Sequence, residues 1–216
     1  MRYATIIITL LVTGYAFGAQ GGKVESAGAF SDPAASEQLR GVLEQKGYRV
    51  SLPDGSALCE IWLRTSVPAA KAEPSGATYT GIDESSLVGV VSFLKANLDY
   101  RGQSIKPGAY TLRYALHPVD GNHMGISPIR DFLLLIPVAE DKDPTAAIGF
   151  KDLNNLSHKA SGTNHAGVIS LVSTEGLKSF PSVFENEVGH IVFAAKLKTS
   201  AGETPLAFVV KGVAEH

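Results

Sequence analysis

The chain has 216 residues, 44% of them hydrophobic and 19% charged, with 22 Gly, 11 Pro and one Cys. That length supports a core without covalent staples, and the composition is too apolar for a disordered chain and too poor in Gly and Pro for a collagen-like one. A formal net charge of −2 offers no basic footprint for nucleic acid or anionic lipid, and a single Cys excludes any disulfide framework within the chain.

Met1 and Arg2 precede an apolar run from Ile6 to Val12, followed by the small residues Ala16, Gly18 and Ala19. One positive charge, a short apolar region and a small-x-small end predict a secretory signal peptide over residues 1–19. The run is shorter than the roughly 20 apolar residues a membrane anchor needs, so no integral membrane segment is expected after cleavage. The expected location is periplasmic or secreted. Residues 20–31 are small and polar and read as a flexible leader, with a single domain over 32–216. In an exported chain Cys59, inside the apolar run Ala57–Leu63, is expected to be a buried and inert thiol.

Asp32-Pro33 carries the cap-plus-proline signature of a helix start, and Leu39, Val42 and Leu43 give it one apolar face before Gly47. The period then changes to 2. Tyr48–Leu52 and Ala57–Leu63 flank Pro53-Asp54-Gly55, a turn in which Pro fixes φ and Gly accepts positive φ, so a hairpin is expected. Residues 65–77 read as a loop and Leu87–Leu94 as a strand. After the Lys106-Pro107-Gly108 turn, Tyr110, Leu112, Tyr114 and Leu116 alternate against Thr111 and Arg113. Phe132–Val138 is nearly all apolar, as in a strand covered on both faces. Asp143-Pro144 repeats the helix-start signature, which predicts a helical insertion over 144–161 ahead of Gly162. Two late strands are expected over 189–197 and 205–213. Strands spaced by Gly and Pro turns, with few helices, predict a mainly β chain with a single β-sandwich domain, Ig-like or related; an open barrel is the second choice.

The sequence contains no G-x-S-x-G elbow, Walker loop, G-x-G-x-x-G or H-E-x-x-H. Ser92 and Lys95 match S-x-x-K, but a run of strand character surrounds Ser92, whereas a penicillin-recognising serine belongs at a helix start. The richest stretch is His117–Asp131, HPVDGNHMGISPIRD, which joins two strands as a long loop; function commonly sits on such loops. His117, Asp120, His123, Arg130 and Asp131 are its candidate ligand-binding residues. Asn164 and His165, from the SGTNH stretch after the helical insertion, are candidates for a facing wall. His117, His123, Met124 and His165 are candidate metal ligands, since imidazole and thioether suit copper and imidazole suits zinc. A type 1 copper site is disfavoured, because the first His after Cys59 is His117, in another element. Glu140, Asp141 and Asp143 lack an EF-hand frame and read as a solvated turn. Glu187 and His190 have E-x-x-H spacing in a β context, where it presents no metal face.

The segment GQSIKPGAYTLRYALHPVDGNHMGISPIRDFLLL (102–135), with KASGTNH (159–165) and the Tyr48–Arg64 hairpin, resembles a group of exported bacterial proteins of unassigned activity. The KPGAYTL phrase is similar to a turn-plus-strand found in many secreted sandwich domains. The resemblance implies export and a β-sandwich, and carries no catalytic residue. Three readings stand at this point. The first is an exported non-catalytic β-sandwich that binds a small ligand or an exported protein partner through the 117–131 end. The second is a periplasmic copper- or zinc-binding protein using the His/Met set, although having no cofactor is the preferred expectation. The third is a hydrolase of unknown substrate.

Overall fold

Pro53-Asp54-Gly55 makes the turn its residues predict: Gly55 adopts φ of 81°, and the Asp54 carboxylate accepts the Ser56 N–H at 2.8 Å. It joins β2 (Gly47–Ser51) to β3 (Ala57–Leu63), with Val50 opposite Cys59. The computed structural model describes residues 22–73, 75–118 and 129–214; the signal peptide expected over 1–19 lies outside them. From the hairpin a seven-stranded antiparallel sheet spreads both ways. Its order is β1 (Lys23–Ala27), β2, β3, β4 (Leu87–Phe93), β7 (Gly108–Leu116), β8 (Asp131–Pro137) and β9 (Val168–Ser170). A two-stranded ribbon of β5 (Asn97–Leu98) and β6 (Ser104–Ile105) interrupts the meander. A second, three-stranded sheet comprises β10 (Ser182–Glu185), β11 (Ile191–Thr199) and β12 (Gly202–Lys211).

The two sheets pack face to face, and the fold is mainly β and sandwich-like, with no closed barrel among the described residues. Period-2 alternation decides what lies between them. Cys59, Ile61 and Leu63 of β3, Leu112, Tyr114 and Leu116 of β7, and Phe193, Leu197 and Phe208 of the small sheet are buried in one cluster. The large sheet is covered on its outer face as well. Ala115, Phe132, Leu134 and Ile136 pack with Leu153 of helix α2 (Phe150–Ser161), while Trp62, Val90 and Ala109 pack with Leu39 of helix α1 (Glu37–Gly41). Apart from the β5–β6 ribbon between β4 and β7, consecutive strands of each sheet lie side by side, in place of the Greek-key crossing of immunoglobulin domains.

Several boundaries depart from the sequence expectations, each for a local reason. Within 20–31, expected to be a flexible leader, β1 pairs with β2 over five residues, so the sheet starts at Lys23 and not at 32. The same segment seats Phe30 on Trp62, ring centroids 4.9 Å apart, and the Trp62 indole N–H donates to the Gly28 carbonyl at 2.8 Å. Gly47 is what lets the indole lie so close, because a Cβ there would fall 2.5 Å from the ring nitrogen. Both helices begin later than their Asp-Pro signatures. Asp32 and Asp143 each accept a backbone N–H two residues on, making Asx turns. Helix α1 is instead capped by Ser36, whose hydroxyl accepts the Leu39 N–H at 3.0 Å. Helix α2 starts at Phe150 and ends as expected on Gly162, in the left-handed conformation at φ of 67°.

Candidate functional site

The 117–131 loop leaves β7 and re-enters at β8, and the structure describes its two ends. Asp120, His123 and Met124 lie outside the described residues. At the re-entry, Asp131 is fully buried. Its carboxylate accepts the backbone N–H groups of Thr78 and Tyr79, both at 2.8 Å, and the Tyr114 hydroxyl at 2.6 Å. Tyr79 continues the chain of contacts: its hydroxyl donates to the Val172 carbonyl at 2.5 Å and accepts the Ala207 N–H at 3.1 Å. Burial pushes the Tyr79 phenol up to about 12, and burial with the Asp131 carboxylate pushes that of Tyr114 up as well. Asp131 thus anchors the 75–79 loop and, through Tyr79, the second sheet. Arg130 is engaged likewise: its Nε donates to the His117 carbonyl at 2.6 Å and its Nη1 to the Ser75 carbonyl. Both ends of the loop are clasped by side chains that sequence reasoning had offered to a ligand.

His117 is placed differently. Its ring stacks on Phe132, centroids 4.3 Å apart and planes 22° apart, on the outer face of the large sheet. There it lines a crevice of about 120 Å³ under α2. Phe132, Leu134 and Val168 contribute apolar walls from β8 and β9, Phe150 and Asn154 come from α2, and half-buried Arg101 adds a charge to the lining. Phe150 is 42% exposed, an aromatic ring left at the lip of an apolar crevice. The helix is held over this face by Ser157, whose buried hydroxyl lies 2.8 Å from the Leu135 carbonyl and 3.0 Å from that of Gly167.

Asn164 and His165 are exposed and do not line the crevice, although their neighbour Ala166 does. The SGTNH stretch is tied within itself and to Gln103: the Ser161 hydroxyl donates to the His165 carbonyl at 2.6 Å, and the Thr163 hydroxyl to Gln103 Oε1 at 2.6 Å. Gln103 in turn binds Asp99, a buried carboxylate that also accepts the N–H groups of Arg101, Gln103 and Val168. Among the described residues, no three His, Cys, Asp or Glu side chains gather to hold a metal ion.

The remaining sequence candidates resolve into structural roles. Glu140 pairs with Lys159, Asp143 makes its turn with Thr145, and Asp141 points inward to Arg113. The solvated-turn reading of these acids therefore fails for Asp141, 3% exposed. His190 is buried, its Nε2 2.8 Å from the Val213 carbonyl. Ser92 sits inside β4 opposite Glu60 and Ala109, and burial pushes the Cys59 thiol up and out of reach.

Sequence reasoning missed Arg101, Phe132, Phe150 and Asn154. The available signal was Phe150, an aromatic one turn before Leu153 and so on the same helix face. Missed as well was the outer face of β7, where Arg113 sits between Ala109 and Ala115, members of two apolar clusters. All five guanidinium N–H groups of Arg113 are used, on Asp141 (2.8 and 2.7 Å) and on the carbonyls of Ser85, Ala146 and Asp143. Among the described residues, no helix is long and apolar enough to cross a membrane. The chain matches no protein-family model, and no match was found among curated proteins or solved structures.

Proposed function

We propose that this is an exported, non-catalytic β-sandwich protein that binds a small organic ligand at the 117–131 end of the large sheet, in the crevice beneath α2. The carrying observation is the apolar crevice built on His117 and Phe132 with exposed Phe150 at its lip. Its volume of about 120 Å³ is near that of an apolar cavity of about 150 Å³ that accepts a benzene ring. The crevice suits one ring or short aliphatic chain, with the rest of the ligand crossing the rim past Arg101 and Asn154. A few polar groups at the edge of an apolar pocket supply orientation.

A thermal-shift screen of the mature protein against small aromatic and aliphatic compounds tests this reading. Compounds that raise the Tm should lose most of their effect in Phe150→Ala and His117→Ala. If no compound class moves the Tm, or if the shifts survive both substitutions, the crevice is not the binding site.

A further inference from the structure

On the same outer face, a second and larger cavity of about 530 Å³ lies between the 68–72 loop, the 83–86 turn and the 144–147 segment. Arg64 lines it. This arginine is only 8% exposed, and among the described residues its one side-chain hydrogen bond is to the Pro144 carbonyl, at 3.2 Å from Nη1. No carboxylate of the described residues forms an ion pair with it, whereas neighbouring Arg113 has both its charge and all its donors taken by Asp141 and carbonyls. Burial and the Arg113 charge push the Arg64 guanidinium down from its usual range. A buried cation is costly unless paired, and one neutral carbonyl is poor compensation. Asp83 and Glu84, the acids on the walls, form no ion pair with Arg64 among the described residues and are bonded elsewhere. Asp83 receives the Lys71 backbone N–H, and Glu84 receives that of Leu116.

We propose that this cavity binds a small monocarboxylic acid, whose carboxylate pairs with the Arg64 guanidinium and whose short apolar body lies against Pro68, Ala72 and Ala147. A guanidinium presents parallel N–H donors that fit the two oxygens of a carboxylate. Lys71, exposed on the same cavity, adds a second positive charge. Asp83 and Glu84 on the wall repel a doubly charged headgroup, which favours a carboxylate over a phosphate. The volume falls in the range of ligand pockets, about 300–1,000 Å³. This site is independent of the crevice beneath α2, and either can fail without the other.

The test is an amide NMR titration of the mature protein with sodium butyrate, with inorganic phosphate in parallel and sodium chloride as the ionic-strength control. Saturable shifts are expected at Arg64, Lys71, Ser86 and Thr145 with butyrate. They should weaken at least tenfold in Arg64→Gln and about threefold in Lys71→Ala, an exposed substitution that keeps the test alive if Arg64→Gln does not fold. Phosphate saturating the same residues more tightly than butyrate overturns the carboxylate assignment. No saturation beyond the chloride control, or binding unchanged in the variants, overturns the site.

Discussion

Arg113 and Arg64 project from the same face of the seven-stranded sheet, 1% and 8% exposed, and line one cavity. Arg113 is closed on itself: a bidentate carboxylate and three carbonyls use every donor it has. Arg64 holds a single carbonyl among the described residues. The pair shows that burial alone does not tell a structural cation from one left for a ligand. The count of satisfied donors does, because a fully met guanidinium has nothing left to offer.

The comparison can be broken at either arginine, and the largest effect is expected at Arg113. Asp141→Ala leaves that cation buried and unpaired and should cost about 3–5 kcal/mol of unfolding free energy, read by urea denaturation. A loss under about 1 kcal/mol would mean that Arg113 is no better satisfied than Arg64. The next effect comes from the tyrosines that tie the loop to the second sheet. Tyr79 titrates near 10 when unfolded and about 12 when folded, so its contribution is complete below pH 10 and is lost as pH rises through 12. Stability should fall by about 1.4 kcal/mol per pH unit for this group between those values, with Tyr114 adding in the same direction. Tyr79→Phe should flatten that slope in denaturation series run from pH 9 to 12.

Arg64→Gln should move stability by no more than about 1 kcal/mol in either direction, since it removes a charge that forms no ion pair among the described residues. A cost matching that of Asp141→Ala would make Arg64 a structural residue like its neighbour. The smallest effect is expected on the solvent side, where Lys159 and Glu140 pair at 2.5 Å with half-exposed side chains. Lys159→Ala should cost less than about 0.5 kcal/mol, measured in the same urea series.

The strands with clean alternation were legible from residues alone. Tyr110, Leu112, Tyr114 and Leu116 declared β7, and the Pro53-Asp54-Gly55 turn declared the first hairpin. Short elements were not, because β1, β9 and β10 are held by the partners beside them: KVESA has no apolar period and becomes a strand only through β2. The candidate site was half legible. The 117–131 stretch did mark a sheet end with a crevice, but Asp131 and Arg130 turned inward to backbone groups, a choice set by three-dimensional neighbours fifty residues away. Arg64 and Arg113 read as ordinary polar positions of alternating strands, since nothing in that period says that segment 138–148 will cover them.

Trp62 is the only tryptophan of the chain, and its indole is clamped between the edge segment of β1 and the body of the sheet. Its emission therefore works as a built-in optical reporter of the outer-face cluster that β1, the segment after it and α1 complete. Peeling residues 22–31 away would wet the indole and redden its fluorescence while the tyrosine-linked sandwich beyond stayed intact.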